Sequence, residues 1–242
     1  MARAIPGQAF RSRIMRERWS NGHNATNEYR SRLTELVEPR MKLLHAGCGC
    51  DNNDVSRQFK DQCTVIGVDL DPRVERMFHS EFHLASLESL PFDAGIFDMI
   101  FSEYVFEHLA DPERVLRELK RVLKPFGTIL VLTPNYYSYK TLAAHLTPQK
   151  FHVAIGRHRF GPGHEAEMYP TLYRCNTRVQ FEDLARRSGL RITRLRFVTN
   201  GPTWFQRVPG LFEVFHAFHL AIKRWGGAKQ LRCALIVEIA KT

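Results

Sequence analysis

Cysteine is scarce, with five in 242 residues, and the five are scattered. That excludes a disulfide-stapled scaffold and points to a reduced setting. No run of about 18 apolar residues occurs, so no segment reads as a membrane span. Residues 1–19 lack the apolar core of a secretory signal and form a basic arm, so a cytoplasmic location is expected. Acidic residues are also short: 25 Asp and Glu against 35 Lys and Arg give a formal charge of +10. Such a surface attracts nucleic acid, anionic lipid or phosphorylated molecules without choosing among them. There is no internal repeat and no low-complexity tract. The apolar share is 44%, ordinary for one domain with a full core.

What is present is alternation. Short apolar runs and amphipathic runs follow each other, as in a parallel sheet with crossover helices. A helical run spans 28–37; strands are expected over 41–46, 64–69, 81–85 and 97–101, with helices over 54–60 and 72–78. Asp111 caps the next helix, Pro112 suits its first turn, and Val115, Leu116, Leu119, Val122 and Leu123 form its stripe. Lys124, Pro125 and Gly127 end it, and a β-branched strand over 128–133 stops at Pro134. The alternation then fails until Asn176, which reads as the cap of a helix over 177–188. A strand over 190–199, an apolar helix over 209–225 and a last strand over 231–240 complete the chain.

The first strand runs into His45-Ala46-Gly47-Cys48-Gly49-Cys50-Asp51. Glycines at a strand end let the backbone approach a ligand closely. Alone, such a pair reads equally well as a tight turn. Asp69 ends the second strand about 20 residues later, where a carboxylate can accept both hydroxyls of a ribose. Asp69 could instead cap the following turn, a task that Asp71 can also perform. A dinucleotide fingerprint needs a third glycine where Asn52 stands, and Asp51 would repel a pyrophosphate. That reading fails.

The downstream motifs are more specific. Leu90-Pro91-Phe92, Phe97-Asp98, Glu107-His108-Leu109, Asp111-Pro112, Leu116 with Glu118, and Arg121-Val122-Leu123-Lys124-Pro125 follow in order. Together with the glycine turn and Asp69, they resemble the class I S-adenosylmethionine-dependent methyltransferases, in particular the type 11 small-molecule group. The resemblance implies an α/β, doubly wound, seven-stranded mixed sheet whose last strand is antiparallel. An N-terminal helical cap and an insertion after the fifth strand would be added to it. The chain then divides into a basic arm and cap (1–40), a cofactor-binding core (41–134), a substrate-side insertion (135–175), and the rest of the core with the apolar helix and last strand (176–242).

The resemblance also implies roles. Gly47 and Gly49 lie under the methionine part of S-adenosylmethionine, Asp69 takes its ribose, and Leu70 lines its adenine. Ser86 and Leu87 stand near the adenine amino group, and Ser102 stands beside the methionine part. His45 and Ser86 occupy positions where the family usually has acids, so two charge-assisted contacts are missing. Some relatives hold a divalent ion with Glu-x-x-Glu-His. Here Tyr104 replaces the first of those acids, no metal is expected, and Glu107 reads as a cap or ion pair at the site's rim.

Methyl transfer is an in-line displacement at a sulfonium carbon, so positioning does most of the work. A hydroxyl acceptor also benefits from a base near neutral pH, and His108 and His164 are the candidates. The expected acceptor is a small molecule, anionic or amphipathic, such as a sugar, lipid or natural product. The helix over 209–225 reads as lid or wall, with peripheral membrane contact second. Two other readings stay open. A nucleic-acid methyltransferase would suit the charge, although no Asn-Pro-Pro-aromatic run supports specific nucleic-acid recognition. A non-catalytic cofactor-binding scaffold would suit His45 and Ser86.

Overall fold

The computed structural model describes residues 24–49, 55–72, 74, 79–139, 141–142, 169–200 and 210–241. Seven strands form one sheet: β1 Lys42–Ala46, β2 Thr64–Asp69, β3 Glu81–Leu84, β4 Phe97–Glu103, β5 Leu123–Pro134, β6 Arg191–Val198 and β7 Ala234–Ala240. Their order is β3-β2-β1-β4-β5-β7-β6. β7 runs antiparallel to both β5 and β6, and the neighbours from β3 to β5 pair in parallel. The mixed sheet with one antiparallel strand is therefore the expected one. Its strand order reverses between β1 and β4, which opens a crevice at their C-terminal ends.

Among the described residues, four α-helices flank the sheet: α1 Ala25–Leu36, α2 Pro112–Val122, α3 Arg178–Arg187 and α4 Leu211–Arg224. Because side chains alternate along a strand, the two sheet faces feed separate cores. Leu44, Ile66, Ile100, Ile129 and Val237 pack with Leu116, Leu119, Phe181 and Leu184 of α2 and α3. Leu43, Val65, Met99, Leu130 and Ile236 pack on the other face with Tyr29 and Leu33 of α1 and with Phe59. Tyr29 donates to the carbonyls of Ser102 (3.2 Å) and Leu130 (3.3 Å). Arg32 grips the buried Glu238 of β7 through two bonds of 2.7 and 2.9 Å.

Much of the downstream signature is scaffolding. Glu118 accepts from the Leu90 amide at 2.7 Å and pairs with Arg121. Arg121 in turn donates to the carbonyls of Phe92 and Leu90. Asp98 ties Lys124 (2.6 Å) and the Lys42 amide (2.8 Å) to the start of β4. These bonds hold the N-terminal side of the sheet while its other end stays available.

Several boundaries differ from the sequence expectations. The segment expected as a helix over 54–60 is a single 3-10 turn, Ser56–Phe59. Only one turn fits where Phe59 must reach the core and Cys63 must already start the return to β2. The helix expected over 72–78 falls largely outside the described residues. β5 begins at Leu123, not Thr128, because Leu123 pairs with Phe97 across a register shift. A Cβ on Gly127 would lie 2.7 Å from the Leu123 side chain and 2.9 Å from the Asp98 carbonyl, so that irregularity requires glycine. Thr177, not Asn176, caps α3, in a capping box with Gln180. Asn176 is drawn inward by bonds described below. β7 starts at Ala234 because 226–231 forms a 3-10 segment.

Candidate active site

The site grows from the turn after β1. Gly47 and Gly49 both have left-handed backbone, with φ of 71° and 55°, a region that glycine enters without strain. Gly47 also has no room for a side chain, since a Cβ would lie 2.4 Å from a Val105 methyl. Gly49 meets nothing within 4 Å of that position, so its surface faces open space. The amides of Gly47 and Cys48 donate to the Val68 carbonyl, which clamps this turn to β2.

Asp69 ends β2 beside it. One carboxylate oxygen accepts from the Gly49 amide at 2.7 Å, the other from the Asp71 amide at 2.9 Å. Each oxygen keeps a further lone pair. The carboxylate is thus fixed in orientation and still able to take a vicinal diol. Leu70, next along, is 67% exposed and offers an apolar platform. Ser102, at the end of β4, is fully buried and donates to the Ala46 carbonyl at 2.8 Å, locking the two strands at the switch. Its side chain is therefore committed to the scaffold. Leu87 belongs to the core, and the Ser86 hydroxyl accepts from the Glu88 amide.

His45 lies buried under the glycine turn. Its Nδ1 is 2.9 Å from the Ser56 hydroxyl and 3.1 Å from His79 Nε2, and its ring stacks on Phe101 at 4.5 Å. Burial, and then the neighbouring His79, hold its pKa well below the usual imidazole range. The imidazole is neutral at neutral pH, and this face of it is used by protein partners.

The group whose position sequence reasoning missed is Glu107. Instead of sitting at a rim, it is buried between the ends of β4 and β5, with no cation nearby among the described residues. Burial pushes its pKa up to about 7, against the Thr133 hydroxyl that bonds it at 3.1 Å. Asn176 donates to the same Thr133 oxygen at 2.7 Å and to the Pro134 carbonyl at 3.0 Å. An amide nitrogen can only donate, so the Thr133 oxygen accepts from Asn176 and its own proton is available to Glu107. The carboxylate's field also helps raise the pKa of Tyr173 and Cys175 around it. The Leu172 and Tyr173 amides donate to the Glu107 carbonyl, tying the end of the insertion to this spot. Tyr104, which precedes this loop, has φ of 55°, a strained value of the kind that collects at functional sites.

His108 follows immediately. Its Nδ1 lies 3.0 Å from the Pro170 carbonyl. A carbonyl can only accept, so Nδ1 carries the proton and Nε2 keeps the lone pair. That nitrogen is 3.9 Å from a Glu107 carboxylate oxygen. Tyr169 edges onto the His108 ring at 6.1 Å and bonds Asp71 at 3.2 Å, so it links the two halves of the site. The structure thus brings Gly47, Gly49, Asp69, Leu70, Ser102, Glu107 and His108 to one end of the sheet. His164 lies outside the described residues.

Residues 44–131 match the family described as Methyltransferase domain. The chain is 32% identical over 120 residues to sarcosine/dimethylglycine N-methyltransferase of Halorhodospira halochloris, covering 45% of this chain and 43% of that protein. It is 32% identical over 117 residues to demethylmenaquinone methyltransferase of Thermotoga maritima, covering 43% and 49%. The chain spans less than half the length of these relatives. Among solved structures, the putative methyltransferase in a complex with the Haloferax volcanii Trm112 activator aligns with TM-score 0.60 at 17% identity, over 98% of this chain and 97% of that one. A geranyl diphosphate methyltransferase aligns with TM-score 0.58 at 17% identity, over 90% and 77%. Residues 44–131 are thus similar to a methyltransferase domain, and the sheet that carries them has the fold of the aligned methyltransferase structures.

Proposed function

We propose that this chain transfers a methyl group from S-adenosylmethionine to a small-molecule acceptor, at a hydroxyl of a sugar, lipid or natural product. The observation that carries the reading is the Asp69 carboxylate. It is oriented by the Gly49 and Asp71 amides and stands beside the open glycine turn at the sheet's switch point.

The residues present fit the cofactor. Asp69 would take the ribose diol, Leu70 the adenine face, and the backbone of Gly47 and Gly49 the methionine part. His45, being neutral, offers no charge to the ammonium group, which makes the ribose contact the principal charged one. Bound S-adenosylmethionine supplies an electrophilic methyl carbon. The chain's own residues orient the acceptor and take its proton. Glu107 and His108 suit the second task. The former is a carboxyl poised near neutral pH, and the latter presents a free imidazole lone pair beside it. Asn176 and Thr133 keep the Glu107 carboxyl in place. A group of this kind matters for an acceptor that must lose a proton as it attacks, and a hydroxyl is such an acceptor.

The test is calorimetry with S-adenosylhomocysteine on the whole chain. Wild type should bind, and Asp69→Ala should bind at least tenfold more weakly while melting within a few degrees of wild type. A folded Asp69→Ala variant with unchanged affinity would remove the assignment of this site.

A further inference from the structure

The apolar surface of helix α4 is wider than the part of it that the described residues bury. Phe212, His219 and Ile222 point into the protein and are buried. Of the expected stripe, Phe212 and Ile222 are buried while Phe218 and Trp225 stand exposed along its edge, and the Leu211 side chain lies outside the described residues. Val214, Phe218 and Trp225, at spacings of four and seven residues, border that buried surface on its solvent side, and they are 66%, 37% and 71% exposed. Ala217 and Ala221 lie exposed on the same side. A helix that packs on a core is expected to turn polar residues to water there.

The charges on this helix are just as uneven. Its single acid, Glu213, sits in the first turn and bonds the Gly210 amide. At the other end, Lys223, Arg224 and Lys229, near Trp225 in sequence, are exposed, and none has an ion-pair partner among the described residues. An exposed tryptophan flanked in sequence by cations, at the end of an apolar stripe, has the composition of an interfacial helix. A protein partner offering an apolar groove would not need the cations. A nucleic acid would not need the apolar stripe. An anionic bilayer uses both.

The position on the fold matters as well. Tyr139, just beyond β5, stacks on Phe215 at 5.2 Å and meets Phe218 edge-on at 5.6 Å. The segment leaving the C-terminal end of β5 therefore lies against this helix. Tyr137 and Leu142, on either side of Tyr139, are themselves exposed apolar groups.

We propose that the outer face of α4, built on Val214, Phe218 and Trp225 with Lys223, Arg224 and Lys229, docks the protein on an anionic membrane surface. The acceptor is then a molecule that resides in that bilayer. The docking stands by itself, whereas the origin of the acceptor rests on the methyl transfer proposed above.

Vesicle co-sedimentation tests it, using phosphatidylcholine alone and phosphatidylcholine mixed with phosphatidylglycerol. Wild type should bind the mixed vesicles and not the neutral ones. Its tryptophan emission should shift to shorter wavelength on binding, and Trp225→Ala should abolish most of the shift. Phe218→Ala with Trp225→Ala should weaken binding at least tenfold, and each of Lys223→Gln, Arg224→Gln and Lys229→Gln about fivefold. All these side chains are exposed, so the variants should fold, as circular dichroism would verify. Three results would overturn the proposal. One is absence of binding to mixed vesicles. Another is binding that the Phe218 and Trp225 substitutions leave unchanged. The third is a dimer in sedimentation velocity that Trp225→Ala dissociates. S-adenosylhomocysteine affinity should be the same in every variant, so loss of membrane binding is read separately from failure of the cofactor site.

Discussion

Replacing Glu107 by glutamine keeps the side chain's shape and its acceptor toward Thr133 while removing the ability to ionise. The wild-type carboxyl titrates at about 7 in the fold against an ordinary value of 4.5. An acid with a raised folded pKa binds its proton more tightly when folded, so ionisation works against the fold. The penalty is absent below about pH 4.5, grows through the interval up to about 7, and is complete above it. Its full size is about 3 kcal/mol. Among the described residues the groups facing the carboxyl are Thr133, His108 Nε2 at 3.9 Å, Tyr104, Tyr173 and Cys175, and none is a fixed cation that would offset the burial. Glu107→Gln should therefore match wild type near pH 4.5 and exceed it by about 3 kcal/mol at pH 8.5. That difference is worth about 10 °C in Tm for a chain of this length. Urea denaturation of both proteins at half-unit pH steps measures it. A stability difference that stays flat across that range would refute the reasoning, because it would mean that the carboxyl titrates normally. The same variant should also lose turnover once an acceptor is in hand, a gain in stability with a loss of function.

Gly47→Ala should cost about 2–4 kcal/mol, from a positive φ and a contact with Val105, and Val105→Ala in the same chain should return part of it; urea midpoints decide this. His45→Asp places a carboxylate where a neutral, buried imidazole bonds Ser56 and His79, and should destabilise the fold by at least about 2 kcal/mol at neutral pH. A stable His45→Asp protein would mean that this position opens to solvent. Arg32→Met should cost about 2–3 kcal/mol, since among the described residues Glu238 would keep only Arg194, at 3.7 Å, as an ion-pair partner, and Tm is sufficient to detect the change.

The sheet was legible because its information is local. Thr64, Val65, Ile66 and Val68 can only be a strand, and Asp111-Pro112 with a leucine-valine stripe can only be a helix. The places where the reading slipped are those decided by distant partners. Asn176 is a good helix cap by type, yet Thr133 and Pro134, over 40 residues away in sequence, take its amide, and Thr177 caps instead. Leu123 ends a helix by its neighbours and opens β5 because Phe97 is there to pair with it.

The candidate site divides along the same line. Gly47, Gly49 and Asp69 were legible because a turn and a strand end fix them by spacing alone. Glu107 was visible only as a motif letter, and its motif suggested a cap or an ion pair. What makes it distinctive is the absence of a nearby counter-charge in a buried place, and no spacing rule encodes that. It arises when Thr133 arrives from β5 and Asn176 from beyond the insertion. His45 shows the converse. Its position matches that of a family acid, but Ser56, one turn later, and His79, before β3, claim its ring. A substitution in a motif is therefore best judged by what its new side chain bonds. By that standard His45 supports the floor of the turn, while Asp69 and Glu107 are left as the carboxylates to which the proposed function gives roles.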